Sequence, residues 1–155
     1  MGSGKSTIGG LVANLAGCPL RDLDAMIEQQ MGRSIPEIFE RDGEAAFREL
    51  EAALLPSALQ GEAVVALGGG ASLRDDSWRL VKERALSVYL EAPLVVLLQR
   101  LGSGQGRPLL GGRSQEEVAQ LFEERRPRYE QADYRVDAGR PPELVAEEVL
   151  ALWRA

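Results

Sequence analysis

Apolar positions recur along this chain in two alternating rhythms. Ile8, Leu11, Val12 and Leu15 fall at i, i+3, i+4 and i+7, which predicts a first helix that Gly17 stops. Cys18-Pro19-Leu20-Arg21 reads as a short strand ending in Asp22-Leu23-Asp24, and the two acids at i and i+2 then point the same way. Met26, Ile27 and Met31 return to helical spacing before Gly32. Ser34-Ile35-Pro36-Glu37 is a capping box that opens another helix, with Ile38 and Phe39 inward. Asp42-Gly43 turns into a longer one carrying Phe47, Leu50 and Leu54, with Arg48 and Glu51 on a neighbouring face and Pro56 to bend or end it.

The continuous apolar run Ala63-Val64-Val65-Ala66-Leu67, closed by Gly68-Gly69-Gly70, predicts a buried parallel strand with a flexible loop at its C-terminal end. Asp75 or Asp76 caps a helix with Trp78 and Val81. Residues 85–90 form the next strand, and Pro93 starts a helix through Leu101. The glycine-rich stretch from Gly102 to Gly112 reads as a mobile surface segment. Ser114-Gln115-Glu116-Glu117 is a second capping box, opening a helix to about Gln131. Tyr134–Asp137 is a last strand, Gly139-Arg140-Pro141-Pro142 a loop, and Leu144, Val145, Val149 and Leu152 mark a final helix. Strands alternating with helices predict an α/β fold: a parallel sheet flanked by helices, in one domain spanning residues 1–155.

Composition narrows the chemistry. At 45% hydrophobic and 27% charged, with a net charge of −6 and no dominant basic stretch, the chain reads as globular and not as a nucleic-acid binder. No apolar run is long enough to span a membrane and no signal peptide opens the sequence, so a cytoplasmic location is expected. Cys18 stands alone and histidine is absent, which removes disulfides, cysteine or histidine metal sites and imidazole catalysis. What remains is Asp, Glu, Arg, Lys, hydroxyls and backbone. Lysine occurs only at Lys5 and Lys82.

Lys5 lies in Met1-Gly2-Ser3-Gly4-Lys5-Ser6-Thr7, which meets the first helix immediately. This is the back half of a phosphate-binding loop. Gly2 and Gly4 let backbone N–H groups turn inward where a Cβ would collide, and the helix directs its positive end to the same point. Gly2, Ser3, Gly4, Lys5, Ser6 and Thr7 are thus the candidate nucleotide cradle, with Lys5 reaching the β- and γ-phosphates and the Ser6 hydroxyl on Mg²⁺. A flexible Gly/Ser terminus would not run straight into a helical pattern. Met1-Gly2 with Ser6 also fits an acylation motif, but the phosphate cradle accounts for the same residues better. The full pattern G-x-x-x-x-G-K-[ST] asks for an earlier glycine fed by an apolar strand, and the sequence holds neither. The expectation is that in-frame codons upstream of Met1 encode a short β-branched run and that glycine.

With these motifs on the page, the chain resembles the shikimate kinases among P-loop small-molecule kinases. The resemblance rests on GSGKST, Asp22-Leu23-Asp24 with Ile27-Glu28, Phe47-Arg48 with Glu51, Gly68-Gly69-Gly70, Arg107-Pro108-Leu109-Leu110 and Arg125-Arg126-Pro127-Arg128-Tyr129, in order along nearly the whole chain. It implies a P-loop kinase fold with a five-stranded parallel sheet whose first, central strand is missing here. It also implies ATP and Mg²⁺ as cofactors and phosphorylation of the 3-hydroxyl of shikimate by a monomer. Catalysis would fall to Lys5, Asp24 and Arg107. Asp24 would bind shikimate hydroxyls and help deprotonate the attacking one, and Asp22 would hold Mg²⁺ with Ser6. Arg48 and Arg125 would clamp the substrate carboxylate while Gly69 and Gly70 offer backbone N–H groups. Arg107 would act from a lid at 102–113. Arg100 would stack on adenine, with Arg140 as a second nucleotide contact.

Each residue also has a bland reading. Asp22 and Asp24 could be a helix cap and a solvated charge, a lone arginine among sixteen is ordinarily a surface group, and Arg126 and Arg128 read as solvated. Two rival functions stay open: another P-loop kinase, such as a gluconate kinase, and a nucleotide-binding module without turnover.

Overall fold

The computed structural model describes residues 3–101 and 113–155, the side chains of residues 100 and 101 excepted. Helix α1 (Lys5–Ala16) starts from Gly4, whose φ of 82° lies in the left-handed region. It buries Ile8 and Val12 as the spacing predicts, while Leu15 is 47% exposed. Strand β1 (Leu20–Asp22) leads straight into α2 (Leu23–Met31). Helix α3 (Ile35–Ala58) opens with the Ser34–Glu37 capping box and is broken at Gly43, where φ 84° and ψ 172° separate two helical pieces. A side chain at Gly43 would be strained in that conformation.

Strand β2 (Val64–Ala66) is followed by α4 (Asp75–Arg84), β3 (Val88–Glu91), α5 (Leu94–Leu101), α6 (Gln115–Tyr129), β4 (Tyr134–Asp137) and α7 (Pro142–Arg154). The Ser114–Glu117 capping box opens α6. Helix α4 corrects the expected cap: its N-cap position is Arg74 and makes no side-chain cap. The Asp76 carboxylate instead pairs with the Arg74 guanidinium at 2.7 Å and accepts from the adjacent Ser77 N–H, also at 2.7 Å. Asp76 thus lies inside the first turn, where it takes one of the turn's orphan N–H groups while its other oxygen holds Arg74.

The strands form two parallel pairs. Strand β1 lies beside β2 with Leu20 opposite Val64 and Asp22 opposite Ala66, and β3 lies beside β4 with Val88 opposite Tyr134 and Glu91 opposite Asp137. Among the described residues, no ladder joins the two pairs. Two apolar cores pack against these strands, and β2 contributes to both, Val64 to the first and Val65, with Leu67 just after it, to the second. Ile8, Val12, Leu97, Phe122, Val136 and Val145 pack together under α1 and α7, and Leu23, Ile27, Ile38, Phe47, Leu55 and Val81 pack between α2, α3 and α4. Leu23 and Ile27 are fully buried, a contribution of about 2 kcal/mol each from apolar area removed from water. The run at 63–67 reads in sequence as a buried strand, yet Val64 and Val65 are only half-buried, as is the whole of β3. The edge of β2 away from β1 has no strand against it among the described residues, and this leaves apolar side chains partly uncovered. No described helix is long and apolar enough to cross a membrane, and Cys18 is a free thiol.

Candidate active site

At the C-terminal ends of β1 and β2 the chain brings together residues from five segments. The first is the start of α1. Ser6 Oγ donates to Asp22 Oδ2 at 2.6 Å, so the hydroxyl expected on a metal and the carboxylate expected beside it are in contact. Asp22 does cap α2: its Oδ1 accepts from the N–H groups of Asp24 at 3.0 Å and Ala25 at 3.4 Å. The cap occupies one oxygen and leaves the other turned to Ser6. This also revises the picture of two acids on one strand, because Asp22 ends β1 whereas Asp24 belongs to the first turn of α2.

Asp24 is substantially withdrawn from water, and burial pushes its carboxyl above the ordinary carboxylate range. Lys5 and Arg48 pull it back down, while Asp22 and Glu28 push it further up. The acid is thereby placed electrostatically between the phosphate loop and the arginine on α3. Its Oδ1 lies against the triple-glycine turn, where a Cβ on Gly68 would sit 2.9 Å from it.

Arg48 projects from α3 toward that turn. Its Nη1 donates to Glu51 Oε2 at 2.5 Å and its Nη2 reaches Glu44 Oε1 at 3.3 Å, with the guanidinium carbon 5.3 Å from the Phe47 ring centroid. The two carboxylates differ. Glu51 is buried, at 3% side-chain exposure, whereas Glu44 is 53% exposed, so the outer contact is the weaker of the two. Burial raises the Glu51 carboxyl and its bond to Arg48 lowers it. A Cβ on Gly70 would lie 2.3 Å from Arg48 Nη1, so the guanidinium packs on bare backbone.

The far wall is α6. Arg125 is buried at 6% exposure, and Tyr129 Oη donates to the Gly69 carbonyl at 2.5 Å. The charges of Arg125, Arg48 and Glu51 all act on the Tyr129 hydroxyl, which burial raises above its usual range. The arginine expected at the carboxylate clamp therefore shares this neighbourhood with Arg48. Arg126 and Arg128, read as solvated, are both ion-paired: Arg126 with Glu123 at 3.2 Å and Glu130 at 3.2 Å, and Arg128 with Asp75. Glutamates one helical turn from Arg126, and Asp75 brought alongside by the fold, supply these partners.

Lys5, Ser6, Asp22, Asp24, Arg48, Gly69, Gly70 and Arg125 are thus gathered around one cleft, with Ser3, Gly4 and Thr7 on its loop. Arg140 sits apart, between β4 and α7, paired with Glu148 and donating to the Asp137 carbonyl at 3.2 Å. Gly2, Arg107 and the expected lid at 102–112 lie outside the described residues, as does the side chain of Arg100. Three contributors received no role in the sequence reading. Glu51 was legible in principle, since it stands at i+3 from Arg48 on one helix. Gly68, pressed on both Asp24 and Glu51 Oε1, and Tyr129, bonded across sixty positions, depend on the folded chain.

A shikimate kinase family model matches residues 1–153. The shikimate kinase of Aquifex aeolicus is 40% identical over 151 residues, covering 97% of this chain and 89% of that protein. The solved structure of the shikimate kinase of Acinetobacter baumannii in complex with shikimate superposes with a TM-score of 0.94 at 34% identity, covering 99% of this chain and 88% of that one. A gluconokinase from Sinorhizobium meliloti superposes at only 0.64 with 23% identity, a likeness of fold alone. Matched over residues 1–153 and 40% identical to a relative of which it covers 89%, the chain belongs to the shikimate kinase family.

Proposed function

We propose that this cleft transfers the γ-phosphoryl group of ATP to the 3-hydroxyl of shikimate, with Asp24 taking the hydroxyl proton and Arg48 and Arg125 holding the substrate carboxylate. The observation that carries the reading is convergence: Asp24 Oδ1 and the Arg48 guanidinium lie against the same glycine turn, through Gly68 and Gly70, with Lys5 in electrostatic reach of Asp24. A cation for a carboxylate and an acid for a hydroxyl, fixed at one spot beside a phosphate loop, match a substrate carrying both groups.

The bond that forms joins the 3-oxygen to the γ-phosphorus, and the bond that breaks joins that phosphorus to the oxygen bridging the β- and γ-phosphates. ADP leaves. Lys5 and the N–H groups at the start of α1 face the phosphates, where charge on the γ-phosphoryl oxygens and on the leaving ADP is best offset. Ser6 and Asp22 offer one hydroxyl and one carboxylate oxygen, a hard donor set suited to Mg²⁺ that completes its shell with phosphate and water. Mg²⁺ there neutralises phosphate charge. ATP as the phosphoryl donor supports a cytoplasmic setting, and a monomer is the working unit this reading takes.

The clamp is tested by Arg48→Lys. An ammonium keeps the charge and loses the planar fork, so KM for shikimate should rise by about tenfold or more while KM for ATP stays within about twofold. Equal rises for both substrates would refute the clamp.

A further inference from the structure

One hydroxyl stands between two of the groups that this cleft offers a substrate. Tyr129 lies one helical turn after Arg125 on α6, so the two side chains share a face. Its Oη donates to the Gly69 carbonyl at 2.5 Å, and the Arg125 guanidinium is within hydrogen-bonding reach of the same oxygen. The ring leans on Tyr89, with centroids 5.5 Å apart and planes tilted by 34°. A phenol has one proton to donate and lone pairs with which to accept. The Gly69 carbonyl takes the proton, so the guanidinium, which can only donate, meets a lone pair. Burial raises the pKa of the hydroxyl and keeps that proton in place at neutral pH.

The bond to Gly69 sets more than one carbonyl. The peptide between Gly69 and Gly70 is trans, so its N–H points opposite to its C=O. Drawing the carbonyl toward α6 therefore turns the Gly70 N–H away from α6. Among the described residues that N–H has no backbone acceptor, which suits it to a ligand oxygen. Three glycines in a row sample many backbone states and need a tether from outside the turn. Helix α6 supplies two, Tyr129 on Gly69 and Arg128 on Asp75 at the start of α4. The ion pair is the weaker, since Asp75 is 83% exposed and such pairs contribute little in water. The hydroxyl bond, withdrawn from solvent, is the one that sets the turn.

We propose that Tyr129 is a positioning residue: its hydroxyl ties the Arg125 guanidinium to the Gly69 carbonyl, so that the clamp arginine and the Gly70 N–H meet the substrate in one fixed relation. The inference rests on the reading of this cleft as a shikimate site. Tyr129 acts through Arg125 and the glycine turn, and not on the transferred phosphoryl group.

The test is Tyr129→Phe, which keeps the ring and its packing on Tyr89 and removes only the oxygen. Equilibrium binding of shikimate without nucleotide should weaken about tenfold. KM for shikimate should rise by the same factor while KM for ATP stays within about twofold. The ligand-free chain gives a second readout. The Ala71 and Leu73 N–H groups donate to the Gly68 and Gly70 carbonyls, each at 3.1 Å, and their hydrogen exchange should speed about tenfold while the amides of α6 keep their rates. Arg128→Gln should shift shikimate binding by less than about twofold. In an Arg125→Lys background, Tyr129→Phe should weaken binding by no more than about threefold, because the arginine it positions is gone. Unchanged binding together with unchanged exchange in Tyr129→Phe would overturn the inference. An equal loss in Arg128→Gln would do so too, by placing the effect in the docking of α6 as a whole, and so would full additivity with Arg125→Lys. If the unaltered chain neither binds nor phosphorylates shikimate, the reading of the cleft falls, and exchange at Ala71 and Leu73 then decides on its own whether the hydroxyl holds the turn.

Discussion

Replacing Asp24 with asparagine is expected to lower kcat by about 10² to 10⁴, the span associated with a positioned general base, and to leave the fold intact. The isostere keeps the volume against Gly68 and still accepts hydrogen bonds, but it cannot take a proton. The stability sign separates this from a structural loss. Burial raises the folded-state pKa of Asp24, so its contribution to stability is fully present below the unfolded value and is lost as pH rises through the folded one. At pH 7 the ionised side chain is a cost, and Asp24→Asn should hold or raise Tm. The same shift predicts that the acid limb of kcat/KM in the unaltered chain lies above the ordinary carboxylate range, and that the limb disappears in the variant. A variant with near-normal kcat, or with activity lost only in proportion to unfolding, would remove Asp24 from the chemistry.

Gly70→Ala is the second large effect, and it follows from the close approach in the glycine turn. The added methyl would stand 2.3 Å from Arg48 Nη1, far inside contact. The guanidinium is the end of a flexible side chain and can swing aside, so the protein should still fold. The swing has two consequences. A displacement of an ångström or more in a substrate-holding group is worth about 10² in rate or binding, so kcat/KM for shikimate should fall by that factor with KM for ATP little changed. It also parts Arg48 from the buried Glu51, which is left charged without its partner at a cost of about 1–3 kcal/mol. Losing Arg48 raises the Glu51 pKa further, so the destabilisation should be present at pH 7 and fade as pH falls and Glu51 takes a proton. Denaturant melts of Gly70→Ala at pH 7 and pH 5, set beside steady-state kinetics, check both. Unchanged shikimate kinetics would mean that Arg48 does not hold the substrate.

Much of this was legible before folding because it was local. The two capping boxes at Ser34–Glu37 and Ser114–Glu117, the helical stripe of Ile8 and Val12, and the break at Gly43 each depend on residues within one or two turns, and each forms as the spacing predicts. What went astray involved partners from elsewhere. Asp75 or Asp76 is expected at the cap of α4, but both fall inside its first turn, where Asp76 meets Arg74, which also reaches Glu49 from α3. Asp22 and Asp24 read as neighbours on a strand, but the capping preference of Asp22 starts a helix between them. In the cleft, the phosphate-loop motif names Lys5 and the resemblance to the shikimate kinases names Asp24, Arg48 and Arg125, and the fold brings these side chains near one another. The devices that hold them, Glu51 under Arg48 and the Tyr129 bond to Gly69, are tertiary. The half-burial of β2 and β3 likewise escapes a sequence reading, since an apolar run reports what a strand can bury and not whether a neighbour is there to bury it.

The most direct test of the central reading is turnover by the full chain with ATP and Mg²⁺, offered shikimate and gluconate separately, with the product examined by ³¹P and ¹H NMR. The expected result is ADP release that depends on shikimate, a phosphomonoester whose coupling places it on the 3-carbon, and no comparable rate with gluconate. Shikimate-independent ATP hydrolysis alone, phosphate on another hydroxyl, or equal turnover of gluconate would contradict it.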